Sequence, residues 1–335
     1  MEEERFEQSG TKERNLAMEL IRVTEAAALS AGRWMGKGNK EMADQAAVDA
    51  MRHALDGVDM SGVVVIGEGE KDEAPMLYIG EHVGNGTPPE IDVAVDPVEG
   101  TRLLAFGLPG ALAVVATAER GTMYSAPPGV FYMEKIAVGP AMKDVVDINA
   151  PVAVNLERIA HARDARIDDL AVVVLDRPRH QELIRQIRET GARIRLITDG
   201  DVSAAIQAAM EDYRGIDVLM GTGGATEAVL AAAAIKCIGG EIQCKIWPRN
   251  EQERDKLKAD GVDLDQVFRT DDLIKGHDVS FAATGITSGE LLDGVQYFGW
   301  GARTSSLMMR ARSGTVRYIQ ARHKWRKTKP KASGD

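Results

Sequence analysis

The sequence predicts an α/β fold, because short apolar runs typical of buried strands alternate with stretches of helical periodicity. In the second half, three such strands alternate with three helices, at 170–175, 183–190, 193–197, 202–211, 216–220 and 225–237. This alternation indicates a parallel or mixed sheet with ligands at the carboxyl ends of its strands. At 335 residues the chain can bury a sizeable core, so we expect two lobes of one compact body.

The first half begins with two amphipathic helices, at about 15–35 and 42–55, in which apolar residues recur at helical spacing. Five strands are predicted after them, at 63–66, 76–79, 91–95, 111–116 and 131–136. The last of these is expected at a sheet edge, with a polar face. Near the C-terminus a strand over 279–285 precedes a hairpin that joins 305–310 to 315–319.

Proline and asparagine at 149–151 mark a lobe boundary. The chain is therefore expected to have four parts, a polar lead, a metal-binding α/β lobe, an α/β substrate lobe and a basic flexible tail, at 1–14, 15–150, 151–322 and 323–335.

Composition excludes several classes of function. A net charge of −10 without a long basic stripe argues against general nucleic-acid binding, although bound divalent cations can reverse the local field for an anionic substrate. Two cysteines cannot form a disulfide framework and indicate a reducing, cytoplasmic location. The charged N-terminus does not resemble a signal peptide, and no apolar run reaches the length of about 18 residues that a membrane span needs.

The stretch from 91 to 102 concentrates groups suited to a metal ion. Its strand, over 91–95, is predicted to run into a stiff turn, since Pro97 has no N–H and fixes its own φ. That turn can present Asp96, the Val98 carbonyl and Glu99 on one side. Such an oxygen-rich corner suits Mg²⁺ or Mn²⁺.

The same stretch continues into a predicted phosphate site. Gly100 allows close backbone approach, and Thr101 is expected to cap a helix over 102–106 whose free N–H groups point at a phosphate. The alternative is a strand, an acidic turn and a capped helix that bind no ligand.

Two glutamates, Glu68 and Glu70, follow the buried strand over 63–66. Carboxylates there are costly unless a positive group meets them, so either could bind metal or take a proton from water. Exposed glutamates on a hairpin loop are the competing interpretation. Asp44, in the first turn of the second helix, has an ordinary explanation as a helix-dipole partner, and Lys40 could equally face solvent.

Polar groups also follow the strands of the second half. Arg177 and Arg179 could hold a second phosphate, because guanidinium offers fixed bidentate donors. Asp199 and Asp201 could accept hydrogen bonds from sugar hydroxyls, although such aspartates usually serve turns and caps. His180, at a helix start, is interpreted as structural and is not placed in the site.

The glycine-rich segment from 221 to 227 could be mistaken for a dinucleotide loop, but its third glycine is replaced by Thr226. Glu227 near a helix N-terminus could instead complete a metal shell. Tyr132 is either a substrate contact or, as is more common, a half-buried tyrosine of a sheet.

Taken together, these segments resemble class II fructose-1,6-bisphosphatase, within the wider inositol-monophosphatase-like superfamily. The match runs in order from about residue 16 to 320. It rests on the blocks Gly36-Lys-Gly-x-Lys40, Ala43-Asp44, 65–70 with 72–78, Asp96-Pro-Val-Glu99-Gly-Thr101, Arg177-Pro-Arg179-His, Asp199-Gly-Asp201-Val and Gly223-Gly-Ala-Thr-Glu227.

The resemblance implies a layered αβαβα sugar-phosphatase fold, and hydrolysis of the 1-phosphate of fructose 1,6-bisphosphate with two or more Mn²⁺ or Mg²⁺ ions. Carried over by position, it implies metal ligands at Asp44, Glu68, Asp96, Glu99 and Glu227. It implies substrate contacts at Glu99, Gly100, Thr101, Tyr132, Arg177, Pro178, Arg179, Asp199, Gly200, Asp201 and Gly224. Lys40 would meet the scissile phosphate, Thr101 would position the attacking water, and Glu70 or Glu68 would receive its proton.

Two departures from the family pattern bear on the substrate. Arg177 stands where the family often has lysine, and Thr226 stands where it often has proline. Arginine at position 177 resembles the photosynthetic members that accept sedoheptulose 1,7-bisphosphate. A homodimer or homotetramer is expected from the family. The alternatives are a phosphatase for another monoester such as inositol phosphate and a non-catalytic sugar-phosphate sensor.

Overall fold

The computed structural model describes residues 16–67, 77–210 and 215–325. Within these ranges two mixed β-sheets and the helices around them form five layers. The helices are α1 Leu16–Ala31, α2 Lys40–Asp56, α3 Thr101–Phe106, α4 Val152–Ala162, α5 Gln181–Glu189, α6 Asp201–Ala209, α7 Ala225–Ile238, α8 Glu251–Ala259 and α9 Thr270–Leu273.

The larger sheet has the order β12-β13-β11-β4-β3-β1-β2, with β14 paired to β13. Its strands are β1 Ser61–Ile66, β2 His82–Val83, β3 Glu90–Glu99, β4 Leu112–Glu119, β11 Ser280–Gly285, β12 Gln296–Phe298, β13 Gly301–Arg310 and β14 Thr315–Lys324.

The smaller sheet has the order β10-β9-β5-β8-β6-β7. Its strands are β5 Tyr132–Val138, β6 Ala171–Leu175, β7 Arg193–Ile197, β8 Val218–Gly224, β9 Glu241–Ile246 and β10 Phe268–Arg269.

Alternating side chains hold the layers together. Val93 and Val95 of β3 pack in the cluster formed with α1 and α2, whereas Ala94 between them belongs to the cluster that contains α6 and α7. The smaller sheet packs its other face on α4 and α5. Helix α7 is alanine-rich and buried nearly all round, so small side chains let the two sheets close on it. The resulting αβαβα order confirms the predicted fold class.

Several predicted elements need correction. Leu77 to Ile79 form no strand, and Met76 lies outside the described residues. Strand β5 is an interior strand, paired with β8 on one side and β9 on the other, instead of an edge strand. The predicted turn at Asp96 is a β-bulge, through which β3 continues to Glu99. A bulge accepts Pro97 because the ladder there has no need of its N–H.

The sheets do not follow the order of the chain. Strand β5 precedes residue 150 but belongs to the smaller sheet, and β11 to β14 come from the C-terminal part but complete the larger sheet. The four-part division of the chain therefore stays a prediction. Among the described residues, no helix is long and apolar enough to cross a membrane.

Candidate active site

A cavity of about 590 Å³ lies where strands of both sheets end. Most predicted site residues line it, namely Lys40, Asp96, Glu99, Gly100, Thr101, Tyr132, Arg177, Arg179, Asp199, Gly200, Asp201, Gly224 and Glu227. Pro178 and Asp44 are not part of the lining. Glu68 and Glu70 lie outside the described residues, so their place in the site stays a prediction.

The first wall of the cavity is the bulge of β3 and the start of α3. Gly100 occupies the N-cap of α3 with φ of 84°, a left-handed conformation that favours glycine. The prediction that Thr101 caps this helix is wrong, because Thr101 is its first residue and no side chain caps it. The Thr101 hydroxyl instead lies between the Val98 carbonyl, at 3.2 Å, and the Asp44 carboxylate.

Helix α2 brings two predicted residues to this wall. The loop before it docks on α3, where the Gly36 N–H donates to Leu104 O at 3.0 Å and the Gly38 N–H to Ala105 O at 2.8 Å. Lys40 therefore reaches the cavity and Asp44 reaches Thr101. Burial raises the pKa of Asp44 to about 6, and the bond to Thr101 and the charge of Lys40 oppose that rise.

Three carboxylates, those of Glu99, Asp201 and Glu227, meet at a second wall, where the end of β3 lies against the starts of α6 and α7. Glu99 is 3% exposed, and its Oε1 accepts a hydrogen bond from the Val202 N–H at 3.3 Å. Its Oε2 is buried and has no hydrogen-bond partner among the described residues. Burial, together with the charges of Asp201 and Glu227, raises the pKa of Glu99 to about 8.

A lysine that sequence reasoning missed neutralises part of this wall. Lys135 of β5 is 3% exposed, and its Nζ lies 2.7 Å from Asp201 Oδ2. Although burial by itself lowers its pKa, Asp201 and Glu227 raise it, so the ammonium stays charged. The signal for a buried lysine was a charged residue within a strand of mostly apolar residues. The prediction of an edge strand with a polar face explained that charge as exposed. Asp201 is thus an ion-pair partner within the protein.

Two glycines make room for these carboxylates. A Cβ on Gly223 would overlap the carboxylate of Asp201, and a Cβ on Gly224 would overlap that of Glu227. Both positions lie at the end of β8, directly before α7. The glycine-rich segment is therefore explained by the packing of acidic side chains.

The arginines form the remaining side of the cavity. Arg177 Nη2 lies 2.6 Å from Asp199 Oδ1, and Arg102 Nη1 lies 3.6 Å from Asp199 Oδ2. Arg179 donates from Nε and Nη2 to the Thr222 carbonyl, and its guanidinium lies 5.1 Å from the centroid of the Tyr132 ring. Because these contacts fix the guanidinium groups, the cavity has preorganised donors for an anion.

Metal binding has partial support from this geometry. In the part of the chain that the structure describes, no three His, Cys, Asp or Glu side chains are grouped so as to hold an ion by themselves. The unpartnered Oε2 of Glu99, with Glu227 close enough to raise its pKa, still requires a positive group. Oxygen donors of this kind fit a hard divalent cation. The five proposed metal ligands therefore stay a prediction.

Comparison with known proteins identifies the family. Residues 14–323 match the family model described as bacterial fructose-1,6-bisphosphatase, glpX-encoded. The chain belongs to this class II fructose-1,6-bisphosphatase family. It is accordingly a phosphatase, as the sequence predicted.

Relatives of this bisphosphatase cover nearly its whole length. A protein of Synechococcus sp. (strain JA-2-3B'a(2-13)) is 48% identical over 92% of this chain and 95% of its own. One of Thermosynechococcus vestitus is 46% identical over the same shares. Both are named D-fructose 1,6-bisphosphatase class 2/sedoheptulose 1,7-bisphosphatase.

One solved structure, named an extragenic suppressor from Pyrococcus furiosus, has a TM-score of 0.29 and 11% identity over 57% of this chain and 68% of its own. That likeness is too slight to show the fold.

Proposed function

We propose that the protein hydrolyses the 1-phosphate of fructose 1,6-bisphosphate, with fructose 6-phosphate and phosphate as products. One observation carries the proposal: a single cavity combines an acidic wall with a wall of fixed arginines. The first suits a metal-assisted phosphoryl site and the second suits a phosphate that is not cleaved. The family membership supports the same activity.

The acidic wall would hold the metal. We assign Asp96, Glu99 and Glu227 as ligands from the cavity lining, with Asp44 behind Thr101. Glu68, which lies outside the described residues, completes the proposed set. Bound Mn²⁺ or Mg²⁺ ions would acidify a water and neutralise charge on the phosphoryl oxygens.

The protein's own groups would orient the reacting phosphate. Lys40 lines the cavity and supplies a positive charge toward the scissile phosphate. The Thr101 hydroxyl can donate its one proton to the Val98 carbonyl or to Asp44, so its oxygen is left to accept from an attacking water and fix its direction. Glu70 or Glu68 is proposed to receive the proton of that water. The backbone N–H groups at the starts of α6 and α7 add a favourable field for an anion.

The arginine wall would hold the second phosphate and the sugar. Arg177 and Arg179 are assigned to the phosphate, with Tyr132 beneath Arg179. Asp199 and Asp201, with Gly200 between them, are assigned to sugar hydroxyls. Since Asp199 already pairs with Arg177 and Asp201 with Lys135, the oxygens of both aspartates are fixed in position before substrate binds.

A second substrate is favoured by one feature of the sequence and one of the comparisons. Arg177 matches the photosynthetic pattern, and the relatives carry sedoheptulose 1,7-bisphosphatase in their names. We therefore propose that this chain also accepts sedoheptulose 1,7-bisphosphate. We further propose a cytoplasmic homodimer or homotetramer.

Phosphate release from fructose and sedoheptulose bisphosphates, measured across a series of divalent cations, tests these assignments. We expect turnover only with Mn²⁺ or Mg²⁺, and loss of turnover in excess chelator. Full activity in chelator would refute the metal assignment, whereas preference for inositol phosphate would refute the substrate. Tight binding of the bisphosphate with metal but without turnover would favour a sensor.

A further inference from the structure

His180, the residue after the substrate arginine Arg179, is 2% exposed and has both ring nitrogens hydrogen-bonded. Its Nδ1 lies 2.7 Å from the Leu175 carbonyl oxygen. The Thr222 backbone N–H donates to its Nε2 across 2.7 Å. Because a carbonyl can only accept and an amide N–H can only donate, the imidazole must be neutral, with its proton on Nδ1.

The ring lies where two neighbouring strands separate. Strands β6 and β8 pair in parallel only at Val172 with Val218 and at Val173 with Leu219. Strand β8 continues to Gly224 without a β6 residue opposite it. Beyond the last pair, the imidazole of His180 therefore joins the end of β6 to β8.

On the side of β6, the backbone N–H and carbonyl of Thr222 are both hydrogen-bonded to side chains, and these side chains belong to two consecutive residues. Its N–H donates to His180, while its carbonyl accepts from Arg179 Nε at 3.1 Å and Nη2 at 2.7 Å. The two side chains thus replace the missing strand at Thr222. Strand β5 pairs with Thr222 on its other side, at Glu134, so His180 and Arg179 are the contacts that hold Thr222 on the side of β6.

The neighbouring glycine fits this arrangement. Gly221 has φ of +140°, and a Cβ built there would lie 3.1 Å from His180 Nε2 and 3.2 Å from its Cε1. Glycine leaves the space in which the ring approaches the backbone of β8.

We propose that His180 is a positioning residue, which acts through the Thr222 backbone to hold the guanidinium of Arg179 at the substrate cavity. This inference rests on the proposed function, in which Arg179 binds the phosphate that is not cleaved. Loss of the His180 bonds should therefore weaken substrate binding and leave the chemical step nearly unchanged.

The surroundings keep the ring neutral. Burial lowers the pKa of His180 below its ordinary 6.5, and the charges of Arg179 and Arg177 act in the same direction, while the Leu175 carbonyl and Asp201 oppose them. Protonation would place an N–H against the Thr222 N–H and remove the bond that orients Arg179.

Steady-state phosphate release by the full chain with Mn²⁺ tests the role. His180→Phe keeps a planar ring but loses both bonds, so we expect KM for fructose 1,6-bisphosphate to rise about tenfold, with kcat within about threefold of wild type. His180→Gln offers an amide oxygen to the Thr222 N–H and should recover part of that KM. Ile187→Ala, which truncates a fully buried side chain of the same layer, is the matched control for lost stability and should leave KM unchanged.

Arg179→Met separates this inference from the proposed function. If Arg179→Met raises KM and neither His180 variant does, the inference is wrong and the proposed function stands. If Arg179→Met leaves KM unchanged, its substrate role fails and the inference fails with it. In the Arg179→Met background, His180→Phe should add no further rise in KM, and a fully additive rise would overturn the inference.

A second readout does not depend on whether His180→Phe folds. Nitrogen-15 NMR of the wild-type imidazole should show the neutral Nδ1–H tautomer at pH 7. A ring that carries its proton on Nε2, or one that is doubly protonated at this pH, would contradict the proposal.

Discussion

Replacement of Glu99 by glutamine tests the acidic wall most directly. The carboxylate is buried, its Oε2 has no hydrogen-bond partner among the described residues, and Asp201 and Glu227 lie near it. A metal ion would stabilise the charged form, whereas in the metal-free protein burial favours the protonated form. We predict that Glu99→Gln makes the metal-free protein more stable and at the same time removes its response to divalent cations.

The sign and size of the stability change follow from the pKa of Glu99. This pKa is about 8 in the metal-free folded protein, raised chiefly by burial, against an ordinary value of 4.5. Between these two pH values the folded state holds a proton that the unfolded chain has released, so stability falls as the pH rises through this window. At 1.36 kcal/mol per pH unit, the cost at pH 7 is about 3 kcal/mol. Glu99→Gln should not show this loss.

Urea denaturation in excess chelator, followed by circular dichroism, gives the free energy of unfolding of both proteins. We expect a small difference at pH 5 and a gain of roughly 3 kcal/mol for the variant at pH 7. Added Mn²⁺ should raise the midpoint of the wild type but not that of the variant, and the variant should lose about 10²-fold or more in kcat.

Glu241→Gln is the matched control. Glu241 is 2% exposed, and burial raises its pKa, but it does not line the cavity. Its Oε1 accepts no hydrogen bond among the described residues, although Arg269 Nη1 lies 4.0 Å from it. Its replacement should leave the Mn²⁺ response and kcat intact. The reasoning is refuted if Glu99→Gln is less stable than wild type in chelator at pH 7, or if Mn²⁺ stabilises it equally.

Three further substitutions address other parts of the site. Thr101→Ala should lower kcat about 10²-fold in the phosphate-release assay, whereas Thr101→Ser should keep most of the rate. Lys135→Met leaves Asp201 buried without its partner, so urea denaturation should show a loss of about 3–5 kcal/mol; an unchanged midpoint would contradict the ion pair. Gly224→Ala displaces Glu227 and should reduce kcat about 10²-fold, while Gly299→Ala, with nothing within 4 Å, should not.

Periodicity was sufficient to predict the α/β class and many of its elements, whereas the layered order followed from the family resemblance. Strand β7 has the predicted bounds, and α7 and the hairpin of β13 with β14 were also predicted near their observed positions. Strand β5 was misplaced because a local pattern shows a charged residue but not its partner. Lys135 is buried since Asp201, 66 residues later in the chain, neutralises it. The alternating polar residues of β5 therefore predict that Lys135 is exposed, whereas the fold buries it.

The predicted site residues meet for a topological reason, since strands of both sheets end at the cavity. Arg177 follows β6 and Asp199 follows β7. The sequence could not show which of several possible local contacts a side chain makes. Thr101 has the residue type of a helix cap, but Gly100 occupies the cap, and the hydroxyl turns toward Val98 and Asp44.

The electrostatics of the cavity explain how an acidic chain can bind a sugar that carries two phosphate groups. For two of its acidic side chains the protein supplies its own counter-charges, since Arg177 and Arg102 face Asp199 and Lys135 faces Asp201. On the side of Glu99 the compensation is incomplete, because burial and the charges of Asp201 and Glu227 raise its pKa to about 8 although the Val202 N–H and Lys135 act to lower it. A phosphate entering that side would meet growing repulsion as Glu99 ionises, unless a cation arrived there first. We therefore expect the arginines to bind phosphate without metal and the side of Glu99 to bind it only with metal, and this asymmetry would orient the bisphosphate before any bond is broken.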